Sequence, residues 1–257
     1  IRLVVFLQIA YCPVGLAQVD SEWSGPQPIQ SKALNEEKSY RVLLPPGYAS
    51  KPEQLYPLLL LLDGQKYGDI VAGNARFLAQ AGEIPEHVIV SVDSDNRLRD
   101  FTPTDSQGWE GDGGGDRFLA FLSDELMPEV ERKFRVARPR ILWGHSLGGL
   151  FALYTLYAAP ELFDARLVND GTLDWDAKAT ERALQNYLND KSVQTQFLYF
   201  NSSYLVAIED PELRYFETLS ATLQKHAPAN LRWEYEPMPN ETHASIPLLG
   251  SIHGLRA

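Results

Sequence analysis

Gly144-His145-Ser146-Leu147-Gly148-Gly149 sets a serine among glycines, after the apolar run Ile141-Leu142-Trp143 and before Leu150, Leu153, Tyr154 and Tyr157 at helical spacing. The pattern predicts a strand, a sharp turn and a helix, with the serine hydroxyl held above the carboxyl end of a sheet. Glycines two residues either side let strand and helix backbones approach without a Cβ clash. A hydroxyl so placed is suited to attack on an acyl carbon through a covalent intermediate.

Such a hydroxyl is a weak nucleophile until a base takes its proton. Of the five histidines, His243 lies in the loop 239–245, after a strand expected at 231–235 and before the last helix, where the base of this arrangement belongs. His226 ends a predicted helix, where a cation offsets the dipole, and His253 lies inside one. The orienting acid is sought in the loop after the strand expected at 196–200, which offers Glu209 and Asp210. Asp210 precedes Pro211 and a helical pattern, so it reads as a helix cap and leaves Glu209 as the expected acid. Asp210, Glu241 and a serine-histidine pair with no acid stay open.

The developing oxyanion calls for preorganised donors. The backbone N–H of Leu147, at the helix start, is one, and that of Gln65, just past Asp63-Gly64, is the other. Beside Gln65, Lys66 and Tyr67 either contact substrate or face solvent. Trp175 and Trp109 either line an acyl or aromatic pocket or pack in the core. The histidines show no paired spacing on a helix face, so no metal site is expected, and the chemistry needs no cofactor.

The elements that must position these groups alternate. Strands are expected at 39–44, 56–62, 88–92, 165–168, 196–200 and 231–235. Between them fall helices at 117–134, which Pro128 should kink, 178–188, 212–226 and from 246 onward. That alternation predicts an α/β fold with a mostly parallel sheet covered on both faces. The glycine-rich stretch 108–115 lacks the strand before and the Lys-Ser/Thr after that a phosphate loop needs, so it reads as a mobile loop.

The chain of 257 residues, 44% hydrophobic, is sized for one large core. Its net charge of −11 disfavours nucleic acid and anionic membrane as partners. Arg2, the apolar stretch 3–10 and small residues near Ala17 read as a secretory signal over 1–18, too short and too broken by Pro13 to span a bilayer. A buried N-terminal strand is the alternative. Cys12, the only cysteine, lies inside that segment; lipidation there is disfavoured by the bulky Tyr11 before it. Residues 19–38 then form an extended lead-in. The first residue is not Met and the last helix has no capping signal, so both ends are expected to be incomplete.

Five segments occur in order: Tyr40-Arg41-Val42-Leu43-Leu44-Pro45-Pro46-Gly47-Tyr48, Tyr56-Pro57 leading to Leu61-Leu62-Asp63-Gly64, Asn96-Arg97-Leu98-Arg99-Asp100-Phe101-Thr102-Pro103-Thr104, the serine motif, and Glu241-Thr242-His243. Together they resemble the putative-esterase branch of the α/β-hydrolases, which includes enterochelin-esterase-like siderophore hydrolases, S-formylglutathione hydrolases, feruloyl and acetylxylan esterases and mycolyltransferases. The similarity runs from about Ser39 to the C-terminus and implies one α/β-hydrolase domain over 39–257. It also implies Ser146 as nucleophile, His243 as base, donors at Leu147 and Gln65, and an acid at about Glu209. Two segments depart from the pattern: Asp170-Gly171-Thr172-Leu173-Asp174-Trp175 keeps only Trp175 of a Ser-Pro-Ser and paired-tryptophan segment, and the loop 201–209 lacks the usual Gly/Asn-rich composition.

The expected function is hydrolysis of a small-molecule carboxylic ester through an acyl-enzyme, by a secreted or periplasmic enzyme. The alternatives are acyl transfer to an alcohol and a binding module on the same fold. Oligomeric state is not legible in the sequence.

Overall fold

Tyr56-Pro57-Leu58-Leu59-Leu60-Leu61 forms a strand in which every residue from Leu58 to Leu61 is wholly buried. Side chains alternate between faces along a strand, so a continuous apolar run needs cover on both sides. The computed structural model describes residues 22–105, 111–189, 195–203 and 215–257. In it, β1 (Gln27–Ser31), β2 (Glu36–Leu43), β3 (Tyr56–Leu61), β4 (Val88–Val92), β5 (Val136–His145), β6 (Ala165–Asn169), β7 (Gln196–Ser202) and β8 (Leu231–Pro237) make one eight-stranded sheet. Their order is β1-β2-β4-β3-β5-β6-β7-β8. Pairing is parallel from β4 through β8 and antiparallel where β2 meets β1 and β4.

Among the described residues eight α-helices accompany the strands: α1 (Gly64–Gln80), α2 (Arg97–Phe101), α3 (Gly115–Ala120), α4 (Met127–Lys133), α5 (Leu147–Ala158), α6 (Ala177–Asn189), α7 (Tyr215–His226) and α8 (Ile246–Arg256). One sheet face buries Leu59, Leu61, Ile89, Trp143, Leu167 and Tyr199 with the α1 residues Tyr67, Val71, Ala72 and Ala75. The other buries Leu58, Leu60, Val90, Leu142, Val168 and Phe200 with Phe118, Phe121, Leu153, Leu184 and Leu219 from the remaining helices. The period-two alternation along β3, β4 and β5 sorts these side chains, and each full burial contributes roughly 1.5–3 kcal/mol. No described helix is long and apolar enough to cross a membrane.

Two expectations change. The sheet starts at Gln27, inside the segment read as a lead-in, because the Asn35 turn (φ 55) closes a β1–β2 hairpin whose strands are polar on their exposed sides and so lack a strong apolar signature. The helix predicted over 117–134 contains a π-helical turn at Phe121–Leu126, and Pro128 stands in the first turn of α4. A proline has no N–H and its ring crowds the carbonyl four residues back; the wider turn ahead of it absorbs both.

The helix that carries the serine is anchored at its far end by Arg166 of β6, which is fully buried. Its guanidinium donates to the carbonyls of Thr155 (3.1 Å), Ala159 (3.1 Å), Pro160 (3.2 Å) and Phe163 (2.6 Å), and to the Gln196 side chain. Two of these carbonyls, Thr155 and Ala159, also accept backbone N–H groups at the end of α5, so the guanidinium adds a charged donor to the last turn and to the chain just after it. Burial lowers the Arg166 pKa to about 10, so the group stays charged at neutral pH. Arg166→Met should therefore cost roughly 3 kcal/mol, by taking the charged donor from the Pro160 and Phe163 carbonyls and the Gln196 side chain. On thermal unfolding followed by circular dichroism this is a midpoint lower by roughly 6–12 °C; a shift under about 2 °C would show that the cap is dispensable.

Candidate active site

Ser146 follows β5 directly and precedes α5, with φ 59 and ψ −123. A non-glycine residue there costs roughly 1–3 kcal/mol and persists only where its surroundings enforce it. Its N–H donates to Asn169 O (3.1 Å), and its own carbonyl accepts from Leu150 N (3.0 Å) and Thr172 N (3.1 Å). A Cβ on Gly144 would lie 2.1 Å from Gly148 O, and one on Gly149 would lie 2.9 Å from Gly171 Cα. The motif's glycines thus allow strand, turn and the loop after β6 to meet. Ser146 Oγ rests 3.3 Å from Thr172 Oγ1. The Leu147 N–H is the first of α5, among those with no intrahelical acceptor.

His243 lies in the loop between β8 and α8, and its Nδ1 donates to Asp170 Oδ2 at 2.7 Å. Asp170 follows β6, has φ 42 and is almost fully buried. Its Oδ1 accepts from Ser203 N (2.9 Å), and its own N–H reaches the side-chain oxygen of Asn201 (3.0 Å). Burial alone would raise the Asp170 pKa, but the hydrogen bonds from His243 and Ser203 outweigh it and hold the group below the ordinary carboxylate range. The imidazole is therefore oriented by a carboxylate that stays ionised.

The acid expected from the sequence was Glu209. Glu209 and Asp210 lie outside the described residues, as does Trp109, and the carboxylate seated on His243 is Asp170. Glu241 is occupied by Ser245 Oγ (2.7 Å). The signal for Asp170 is Asn169-Asp170-Gly171 at the end of a predicted strand: a carboxylate at the carboxyl edge of the sheet, in a segment whose composition tolerates positive φ. It lies one strand before the loop in which the acid was sought.

Gln65 is the second residue of α1, and its side chain pairs both ways with Ser94, Nε2 to O at 3.0 Å and Oε1 from N at 3.2 Å. Its N–H faces the half-buried carboxyl of Asp93, which burial raises and Arg41 and this N–H pull down. A substrate oxyanion would compete with Asp93 for that donor. Tyr67 does not face solvent: it is 4% exposed, with Oη 2.8 Å from His145 Nδ1 and its ring edge-on to Trp143. Its place on α1 turns it into the sheet. Lys66 places its ammonium 4.9 Å from the Tyr67 ring. Trp175 is half-buried and donates from Nε1 to Thr104 O (3.3 Å), which fixes it beside the 96–104 segment.

That segment is anchored by Asp100, wholly buried against Lys38 Nζ (2.9 Å) and the Arg99 guanidinium. It delivers Arg97, whose Nε lies 2.7 Å from Asp63 Oδ1 and whose Nη2 donates to His145 O at 3.3 Å. Among the described residues no group of three His, Cys, Asp or Glu side chains could hold a metal ion.

The family described as Putative esterase matches residues 31–196. The chain belongs to this family. As an esterase-family member it is similar to the ferri-bacillibactin esterase BesA of Bacillus subtilis, 31% identical over 164 residues that span 55% of this chain and 56% of that protein. The siderophore enterobactin esterase of Emericella nidulans is 40% identical over 80 residues, 30% of this chain and 26% of that one. The matches thus span about half or less of these curated relatives. A solved IroE-like serine hydrolase of Shewanella oneidensis superposes with a TM-score of 0.84 at 29% identity, over 91% of this chain and 79% of that one. The esterase-family member shares with it the α/β-hydrolase fold expected from the sequence.

Proposed function

We propose that the chain hydrolyses carboxylic esters through an acyl-enzyme on Ser146. The observation that carries this is the buried Asp170 carboxylate 2.7 Å from His243 Nδ1, on the loop packed against the strained Ser146 turn. With Nδ1 donating to Asp170, His243 offers the lone pair of Nε2 as the base. The serine hydroxyl leaves Thr172 and attacks the ester carbonyl while Nε2 takes its proton. The oxyanion is held by the N–H groups of Leu147 and Gln65, the latter drawn from Asp93. The alcohol departs with the proton from His243, and water then attacks the acyl-serine by the same base.

Relatives named as siderophore esterases place such esters first among the substrates to try. The apolar stretch within 1–18, outside the described residues, supports export of the enzyme. The reading is tested by treating the purified chain with a fluorophosphonate, locating the adduct by peptide mass spectrometry, and measuring turnover of short nitrophenyl esters. Modification at Ser146 with turnover is expected. Neither modification nor turnover would leave the binding module in its place, and glycerol esters in place of free acid would indicate acyl transfer.

A further inference from the structure

His145, the residue before the nucleophile, points its side chain away from solvent and is 2% exposed. Its Nε2 lies 2.8 Å from the backbone carbonyl of His243, and its Nδ1 lies 2.8 Å from Tyr67 Oη. A carbonyl can only accept, so Nε2 carries the ring proton; Nδ1 is then a lone pair, and the Tyr67 hydroxyl must donate to it. The His145 ring also lies 4.4 Å, centroid to centroid, from that of His243, tilted by 40°. The base is thus gripped at three places: its Nδ1 by Asp170, its carbonyl by His145, and its ring face by the same imidazole.

We infer that Tyr67 and His145 are positioning residues, which lock the main chain of His243 and hold the base in line with Ser146. The inference rests on the Ser146 acyl-enzyme reading. The loop that carries the base has few other lateral holds: His243 is about half exposed, and among the described residues the side chains of Thr242, Ser245 and Glu241 bond only to one another and to the loop's own backbone, which is otherwise tied at its ends, by Met238 N–H to Ser202 O and by the first turn of α8. A lateral hold matters because misplacement of a reacting group by about 1 Å can cost roughly 10²-fold in rate. The hold must also keep its own charge constant while His243 gains and loses a proton. Burial and the neighbouring His243 lower the His145 pKa to about 3, so the ring stays neutral beside the base.

The test uses the whole chain and three variants: His145→Leu, His145→Gln and Tyr67→Phe. Leucine removes both hydrogen bonds, whereas a glutamine amide can donate to the His243 carbonyl and accept from Tyr67. His145→Leu is expected to lower kcat for a short nitrophenyl ester, and the rate of fluorophosphonate labelling, by roughly 10–100-fold with KM within about threefold. His145→Gln should recover most of that loss, and Tyr67→Phe should fall between. Nitrogen-15 NMR of the parent should show His145 neutral, protonated on Nε2 and not titrating between about pH 5 and 9. Equal kcat in parent and leucine variant, equal loss in the leucine and glutamine variants, or a His145 ring protonated on Nδ1 would each overturn the inference. Should the leucine variant fail to fold, the glutamine and phenylalanine variants and the NMR decide. A parent that neither labels nor turns over fails the acyl-enzyme reading, whereas a parent that does both with unaffected variants fails only this inference.

Discussion

Asp170→Asn is expected to lower kcat for ester hydrolysis by roughly 10³–10⁴-fold, the scale seen when a triad acid elsewhere is made an amide. The two oxygens of Asp170 have different partners: Oδ1 accepts from Ser203 N–H and Oδ2 from His243 Nδ1–H. An amide has only one oxygen to offer. If that oxygen stays on Ser203, the NH₂ faces Nδ1 and drives the imidazole into the tautomer with its proton on Nε2, which cannot accept from Ser146. If it turns to His243, the NH₂ meets the Ser203 N–H, two donors in a buried site. Either way the base is lost while the fold survives, so KM should move much less than kcat. Glu209→Gln is the companion variant. A kcat within about threefold of the parent is expected for it; a large loss there with little loss in Asp170→Asn would return the acid to the loop after β7.

Ser146→Ala should abolish fluorophosphonate labelling and reduce kcat/KM by roughly 10³–10⁶-fold, since only the oxyanion donors and binding would remain. Alanine keeps a Cβ at φ 59, so the turn geometry is retained and the loss reports the missing oxygen. Ser146→Gly separates chemistry from strain. It should be equally inactive but more stable by about 1 kcal/mol, because glycine relieves the positive-φ cost that the hydroxyl's position requires. Esterase activity surviving in Ser146→Ala would mean that another group attacks the ester.

Much of the molecule is written locally. Apolar runs such as Leu58–Leu61 predicted the central strands because a strand covered on both faces has no polar side. The edge strand β1 and the first residues of β2 went unread, although the rest of β2 was expected at 39–44, because half of their surface faces water and their composition resembles a loop. The asparagine-to-threonine segment 96–104 stood out in the sequence, but nothing local explains it. Its buried Asp100 pairs on one oxygen with the neighbouring Arg99 and on the other with Lys38 from β2, brought in across the fold.

By itself the sequence determined the Ser146 turn and the loop that carries His243, because a strand-turn-helix with glycines at fixed offsets is a local requirement. Which carboxylate orients His243, and that Tyr67 turns into the core rather than to solvent, only the tertiary structure decided. Those answers depend on which loop ends lie side by side at the carboxyl edge of the sheet. That follows from the parallel pairing of β5, β6 and β7, which sets Asn169 beside His145 and Asn201 and so brings Asp170 to His243 across 73 residues of chain.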